Sequence, residues 1–203
     1  MTRLIIWRHG QTEWNTAKRF QGQTDTHLDA VGVAQATAAA AVLAAEGPDA
    51  IVASDLSRTA ATAAALAAAT GLVVHPEPRL RERHFGAWQG LTRAEVEAAF
   101  PDEFQRWLRA EQVTGCDIEE LDDLGKRVAA GLTEALDRAP GGTVVAVTHG
   151  GAARYGIGNL FGWSHDEVAR FQVLRNCHWS ELAHDDRHGW TLRSYNVGIP
   201  RPR

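Results

Sequence analysis

Short apolar runs alternate with longer stretches of mixed polarity along the chain, and this pattern predicts strands separated by helices. Three runs have the length and β-branched or apolar composition of buried strands, at residues 4–7, 50–53 and 143–147. A shorter run at 72–74 predicts another strand, and two or three alternating segments within 169–195 predict edge strands. The chain therefore carries the strands of a sheet.

Helices are predicted in the longer stretches, which begin at capping residues and end at glycine or proline. Asp29 is suited to cap a helix over 31–45 that ends before Gly47. An alanine-rich helix is predicted over 56–69. Further helices are predicted at 92–111, where Pro101 separates two of them, at 119–137 and from 150 to 161.

Strands that alternate with helices favour a mainly parallel sheet with helices on both faces. The predicted fold class is α/β, a three-layer α/β/α sandwich with a mainly parallel central sheet. A length of 203 residues suits one such domain, and the sequence has no internal repeat or linker-like stretch. Residues 1–203 are therefore expected to form a single domain.

Charged side chains follow the predicted strands at the points where the strands end. Arg8 and His9 follow the first strand, Arg58 follows the second, and His149 follows the strand at 143–147. Glu82 follows the strand at 72–74 after a longer turn. Because open α/β sheets bind ligands beyond the carboxyl ends of their strands, these side chains are expected at one edge of the sheet.

Two arginines at one edge favour a phosphomonoester as the ligand, since its charge is close to −2 near neutral pH. Arg8 and Arg58 are expected to clamp the phosphate oxygens, each through two N–H groups. Gly150 permits close backbone approach, and the helix that begins there is expected to direct amide donors at an anion. The alternative for Arg58 is a surface ion pair with Asp55, three residues before it.

The same set contains the groups that phosphoryl transfer needs. His9 is the candidate nucleophile, provided that one ring nitrogen is unprotonated and the other donates to an oxygen that fixes the tautomer. His149 is expected to stabilise charge on the equatorial phosphate oxygens, and Glu82 to act as general acid and then general base. The arginines supply the positive charge, so neither a cofactor nor a metal is expected.

Four segments resemble the motifs of the histidine phosphatase superfamily, in its phosphoglycerate-mutase-like branch, and they occur in the order typical of that family. Together they extend over nearly the whole chain, and four motifs in order are far more specific than one. The matching segments are 4–15, with its Arg-His-Gly, 54–60, 80–90 and 147–151; residues 20–25 and 28–32 extend the first match.

The resemblance implies that His9 is the nucleophile, that Arg8, Arg58 and His149 hold the phosphate, and that Glu82 is the acid and base. It also implies that Asn15, Gln21 and Gly22 line the substrate side. Gln11, His84 and Gly150 are further candidates for contact with the substrate.

Two features favour a phosphatase over a mutase. The mutases of this family carry a longer insertion after the proton-donor segment, rich in arginine and lysine, whereas residues 91–112 contain only three arginines. Phe85 stands where those mutases have a tyrosine. The chain resembles the actinobacterial phosphatases of the family most, although a Gly-Glu-Ser motif of many relatives is replaced at 115–118. A mutase and a catalytically silent binder of phosphorylated ligands are the alternatives.

Composition and charge exclude some classes of binding partner. The net charge of −4 excludes a strongly basic surface for nucleic acid, and no apolar run is long enough to cross a bilayer. Cys116 and Cys177 form no Cys-x-x-Cys pair, which favours free thiols and, with no signal-peptide pattern at the start, a cytoplasmic location. The expected partner is a small-molecule phosphate ester, with no nucleic acid and no membrane. A homodimer paired through the tail strands is an open alternative.

Overall fold

The computed structural model describes residues 1–199 and contains one six-stranded sheet. Across the sheet the strands lie in the order β3-β2-β4-β1-β5-β6. The first four are mutually parallel, β5 is antiparallel to β1, and β6 is antiparallel to β5. In chain order the strands are β1 (Thr2–Arg8), β2 (Ala50–Ala53), β3 (Val74–Pro76), β4 (Thr143–Thr148), β5 (Trp179–Asp185) and β6 (Gly189–Val197).

The α-helices of residues 1–199 connect and cover these strands. They are α1 (Glu13–Thr16), α2 (Ala30–Ala45), α3 (Ser57–Thr70), α4 (Arg93–Ala99), α5 (Pro101–Leu108), α6 (Leu121–Ala135), α7 (Gly150–Leu160) and α8 (His165–Ala169). Within this part of the chain, no helix combines the length and the apolar character that a membrane span requires.

The central strands β1, β2 and β4 are buried on both faces, and their successive residues alternate between two hydrophobic cores. Leu4 and Ile6 of β1 pack with α6 and α7 on one face, whereas Ile5 and Trp7 pack with α2 and α3 on the other. This arrangement is the three-layer sandwich that the sequence predicts, and the fold class is confirmed.

A third, aromatic cluster lies apart from these two cores. Phe20, Trp88 and Phe104 are buried in it, and Phe85 and Trp107 pack against them. Their rings meet mostly edge-on or tilted, with the Phe20 and Trp107 centroids 5.2 Å apart. The cluster holds the loop after α1 against α4 and α5, which form one wall of the site described below.

The predicted elements differ from the structure in a few places. The third strand lies at Val74–Pro76, two residues later than predicted, and the short helices α1 and α8 were not predicted. The tail strands are not both at an edge, because β5 lies between β1 and β6. The prediction failed there since a buried antiparallel strand and an edge strand show similar alternation over so few residues.

The loop after β1 is held against α2 by a close backbone contact. A Cβ atom at Gly32 would lie 2.0 Å from the carbonyl oxygen of Gln11, and one at Gly10 would lie 2.4 Å from the carbonyl oxygen of Gly32. Asp29 caps α2, as predicted, by accepting a hydrogen bond of 2.7 Å from the Gly32 amide. The start of α2 therefore fixes the path of the chain immediately after His9.

We expect Gly32→Ala to lower the free energy of unfolding by about 1–3 kcal/mol, because the new methyl group overlaps a backbone oxygen and the loop must shift. Urea unfolding checks this. Val33→Ala is the matched control, since Val33 is 52% exposed in the same helical turn, and it should change stability by less than about 0.5 kcal/mol. Equal effects of the two substitutions would show that the close contact is not a constraint.

Candidate active site

The ends of the central strands bring the predicted histidines and arginines together. Arg8 ends β1 and His9 follows it, while His149 follows β4, the parallel neighbour of β1. The ring centroids of His9 and His149 are 5.2 Å apart, with the rings edge to face at 62°. Arg58 enters from the start of α3, which follows β2 on the other side of β4. The sheet order thus places these groups at one edge, as the sequence predicts.

His9 is held in a single tautomer. Its Nδ1–H donates to the carbonyl oxygen of Gly10 at 2.7 Å, so the lone pair is on Nε2. The ring is only 3% exposed, and it lines a cavity. Burial, and then the positive charges of Arg58 and Arg8, hold the pKa of His9 well below its ordinary value. His9 is therefore neutral, with an unprotonated nitrogen available for attack.

Arg58 is completely buried and ties several segments together. Its Nη2 donates to the carbonyl oxygen of Gly22 at 2.7 Å, and its Nη1 donates to that of Thr24 at 2.9 Å. Burial lowers the pKa of Arg58 to about 10, so the guanidinium is charged at neutral pH. Asp55 forms an ion pair with Arg81 instead, and the alternative of an Asp55–Arg58 surface pair is wrong.

His149 lies behind His9 and Arg58. Its Nδ1 accepts from Nε of Arg58 at 3.2 Å, so its proton is on Nε2, which donates to the hydroxyl oxygen of Ser54 at 3.0 Å. Burial and the charge of Arg58 hold the pKa of His149 well below its ordinary value. In this structure both ring nitrogens contact protein groups, so His149 orients Arg58. Its contact with phosphate oxygens stays a prediction.

Among the described residues, Nη1 of Arg8 has a protein acceptor, whereas its Nε and Nη2 have none. Its Nη1 donates to the carbonyl oxygen of Leu174, from the loop before β5. Its Nε is buried, and within residues 1–199 no acceptor contacts it. Burial lowers the pKa of Arg8, although the nearby carboxylate of Glu82 opposes that effect. A buried N–H with no acceptor is unfavourable, and an anion in the cavity would supply one.

The backbone amides at the start of α7, which were expected to bind phosphate, donate to the carboxylate of Glu82 instead. Its carboxylate accepts from the backbone N–H groups of Gly151 at 3.0 Å, Ala152 at 2.8 Å and Arg83 at 2.9 Å. The start of α7 thus holds a carboxylate of the protein itself, and its amides are not free for the ligand. A Cβ at Gly151 would lie 2.6 Å from Oε1 of Glu82, so a larger residue there would displace this carboxylate.

These groups surround a cavity of about 410 Å³. His9, Arg8, Arg58 and Glu82 line it together, so four of the five predicted catalytic residues share one space. The predicted substrate residues Asn15, Gln21 and Gly22 also line it. The other lining residues are Trp14, Lys18, Arg19, Phe20, Phe85, Arg93, Trp107, Val173 and Asn176.

Asn176 is a site residue that the sequence analysis missed. Its Nδ2 donates to the carbonyl oxygen of His9 at 3.1 Å and to Oδ1 of Asn15 at 3.2 Å. Since Oδ1 of Asn15 also accepts from the Thr12 amide at 3.1 Å, the amide group of Asn15 has one orientation, with its NH₂ left for the cavity. Asn176 lies in an irregular loop far along the chain, where no motif or periodicity marks it.

Three predicted substrate residues do not line this cavity. The side chain of Gln11 donates to Asp29 at 3.0 Å, and the ring of His84 lies 3.4 Å from a carboxylate oxygen of Asp117. Gly150 lies beside Arg8, where a Cβ would be 3.3 Å from Cζ of that arginine. The structure thus gives Gln11 and His84 protein partners, and Gly150 makes room for Arg8.

The described residues contain neither a cluster suited to a metal ion nor a disulfide. Within the described chain, no three His, Cys, Asp or Glu side chains are grouped so that they could hold a metal ion. Cys116 and Cys177 are buried free thiols, as predicted. Burial raises the pKa of Cys177 to about 12, so its thiol stays protonated beside Arg8.

The sequence is similar to one protein family and to individual members of it. The family model of the histidine phosphatase superfamily (branch 1) matches residues 4–198. A glucosyl-3-phosphoglycerate phosphatase of Mycolicibacterium vanbaalenii is 39% identical over 188 residues, covering 89% of this chain and 84% of that protein. A probable phosphoglycerate mutase of Yersinia enterocolitica is 33% identical over 204 residues, covering 96% and 92%.

Solved structures are similar over the same extent. A mycobacterial glucosyl-3-phosphoglycerate phosphatase complexed with VO3 superposes with a TM-score of 0.88 at 36% identity, covering 97% of this chain and 99% of that one. A phosphoserine phosphatase of Entamoeba histolytica complexed with 3-phosphoglyceric acid gives a TM-score of 0.83 at 30% identity, covering 97% and 98%.

The motif order, the convergence of His9 and His149 and these similarities therefore agree. The resemblance that the sequence motifs indicate is confirmed over nearly the whole chain. The chain belongs to the histidine phosphatase superfamily, in its branch 1.

Proposed function

We propose that the chain hydrolyses small phosphomonoesters in two steps, through a phosphohistidine on His9. The observation that carries the proposal is the state of His9. Its Nδ1–H is fixed by the carbonyl oxygen of Gly10, and its unprotonated Nε2 belongs to a ring that lines a cavity shared with Arg8, Arg58 and Glu82. This is the arrangement that an attacking imidazole requires.

Binding of the phosphate is assigned to the arginines and to Asn15. The unpartnered Nε–H of Arg8, the charge of Arg58 and the NH₂ of Asn15 are the donors available at the cavity. Two buried positive charges attract a dianion strongly, because the effective dielectric constant around buried groups is lower than in bulk water.

In the first step, Nε2 of His9 forms a bond to phosphorus as the bond from phosphorus to the ester oxygen breaks. The leaving alkoxide takes a proton from Glu82. In the second step, Glu82 removes a proton from water, the oxygen of that water binds phosphorus, and the nitrogen–phosphorus bond breaks. Inorganic phosphate is released, and Glu82 holds a proton again.

We propose that neither step needs a metal ion. Charge builds on the equatorial oxygens during transfer, and stabilising that charge is the main task of a phosphoryl-transfer site. Arg8 and Arg58 supply two positive charges in fixed positions, and His149 holds Arg58 in place through its Nδ1.

The substrate class that we favour is a phosphate ester of a small metabolite, of the sugar-phosphate or phosphoglycerate type. Relatives at 30–39% identity are glucosyl-3-phosphoglycerate phosphatases and a phosphoserine phosphatase complexed with 3-phosphoglyceric acid. The cavity of about 410 Å³ is large enough for a phosphate and part of its alcohol.

A phosphoglycerate mutase is the second candidate, and the 33% identity to the Yersinia protein favours it. Incubation with 3-phosphoglycerate and a trace of the bisphosphate separates the two activities. Isomerisation without release of phosphate would support the mutase. A silent binder is the third alternative, and the presence of both His9 and Glu82 argues against it; failure to hydrolyse any ester of a broad panel would support it.

We expect His9→Ala to lower kcat by at least about 10³-fold while the protein stays folded, because the nucleophile is lost. Phosphoenzyme labelling tests this directly: brief reaction with ³²P-labelled ester should leave an acid-labile, base-stable phosphate on the wild type and none on the variant.

Turnover of the wild type should persist in EDTA. Loss of turnover in EDTA, with recovery on adding one divalent ion, would contradict the metal-independent reaction.

We expect Glu82→Gln to lower kcat/KM by about 10²-fold or more for alkyl phosphates but by less than about tenfold for p-nitrophenyl phosphate, since nitrophenolate leaves without needing a proton and kcat/KM does not include the later hydrolysis of the phosphohistidine. Steady-state kinetics with both esters checks this. Glu97→Gln, on the exposed side of α4, is the control and should change neither rate. Equal slowing of both esters by Glu82→Gln would remove the acid role from Glu82.

The pH profile should reflect the lowered pKa of His9. An imidazole whose pKa is depressed becomes protonated, and so inactive as a nucleophile, only at lower pH than usual. After correction for ionisation of the substrate phosphate, we therefore expect kcat/KM not to fall as the pH is lowered from 7.5 to below 6.5. An acid limb with a midpoint near 6.5 or above, in the free enzyme, would contradict the assignment.

A further inference from the structure

A second cavity of about 510 Å³ adjoins the one that contains His9. The two share one wall, and Glu82 is part of it. The other shared residues are Phe85, Arg93, Trp107 and Val173. The proposed general acid therefore has the phosphate-binding cavity on one side and this second space on the other.

The second cavity carries more positive than negative charge. Beyond Glu82 the only carboxylate in its walls is that of Glu111, which is paired with Arg109 at 2.6 Å. Arg83, Arg93 and Arg154 also line it, and none of the three forms an ion pair within residues 1–199. Charged groups that line a cavity without partners indicate a ligand of opposite sign.

Arg83 adds a buried positive charge to this wall. It is 4% exposed, its Nε donates to the carbonyl oxygen of Glu119 at 2.8 Å, and its Nη2 is buried with no acceptor among the described residues. A carbonyl oxygen does not neutralise a guanidinium. The positive charge of Arg83 therefore lies beside the cavity, with the carboxylates of Glu82, Glu119 and Glu120 near enough to interact with it.

Arg154 is placed where the alcohol of a bound ester would extend. The first turn of α7 holds Glu82 through the amide of Gly151, and Arg154 is three residues further on, on the same face of the helix. Its Nε donates to the carbonyl oxygen of Val168 at 2.8 Å, which fixes the guanidinium and leaves its two terminal nitrogens without a protein partner in the described chain.

The chemistry of the first step gives the direction of the alcohol. The ester oxygen must lie against Glu82 to receive its proton, and in-line attack requires that oxygen to be opposite Nε2 of His9. The carbon chain attached to it then continues past Glu82, away from His9. The space on that side is the second cavity.

We propose that the second cavity is the leaving-group site, and that it selects alcohols carrying a carboxylate, bound by Arg154. The inference rests on the proposed function and makes it more specific. In a 3-phosphorylated glycerate the carboxylate carbon is two bonds from the carbon that carries the phosphate, so the carboxylate stays close to Glu82, and Arg154 is one helical turn from Gly151, whose amide binds Glu82. A neutral sugar or polyol phosphate lacks the group that Arg154 would bind.

The test compares two esters that differ in one group, 3-phosphoglycerate and glycerol 3-phosphate, with p-nitrophenyl phosphate as a reference. We expect wild-type kcat/KM to be about tenfold or more higher for 3-phosphoglycerate. Arg154→Gln should lower kcat/KM for 3-phosphoglycerate by about tenfold or more and for glycerol 3-phosphate by less than threefold, because only one ester loses a charge-assisted bond.

Two further variants separate loss of the Arg154 charge at the cavity from a general effect on the fold. Arg154→Lys keeps the charge and should retain most of the preference, whereas Arg170→Gln removes an exposed arginine outside the cavity and should change neither rate. Equal losses for both esters in Arg154→Gln would overturn the proposal and leave the phosphatase reaction intact. If Arg154→Gln does not fold, a wild-type preference below threefold overturns it equally. No turnover of any of the three esters would instead contradict the proposed function.

Discussion

The site depends on one buried cation. Arg58 has no contact with solvent, yet it is charged, and its N–H groups bind two carbonyl oxygens of the loop after α1 and the ring of His149. Removing it would leave those acceptors buried without donors, at a cost of about 1–3 kcal/mol each. A guanidinium is suited to this place because its rigid planar fork meets several acceptors at once and does not lose its proton. The loop, α3 and the end of β4 are therefore fixed relative to one another by the same group that is proposed to bind phosphate.

The charge of Arg58 also contributes to the protonation state of His9 and His149. Two guanidinium groups, Arg58 and Arg8, lie beside two buried imidazoles. Burial, and then the positive charges of these arginines, lowers the pKa of both histidines and keeps them neutral. Without ligand, Glu82 and Asp25 partly offset the charge of Arg58, and an incoming dianion would add further negative charge beside it.

The sequence alone predicted the parts of this site that follow from strand topology. His9 and His149 come together because parallel neighbouring strands end at the same edge, and the sequence pattern marks both strands clearly. It could not predict side-chain direction in loops. Gln11 belongs to the same motif as His9, but Asp29, far along the chain, draws its amide away from the cavity. Asn176 was missed for the related reason that only the folded path of an irregular loop brings it to the carbonyl of His9.

The contacts from the loop before β5 bear on when the site is assembled. Leu174 and Asn176 bind Arg8 and the backbone of His9 across separations of 166 and 167 residues, and β1 itself pairs with β4 and β5 rather than with its neighbours in sequence. Contacts of such long range form slowly, because the intervening chain must first be ordered. A ribosome releases the segment carrying the nucleophile before the loop that precedes β5, so that segment can acquire its final surroundings only after Asn176 has emerged.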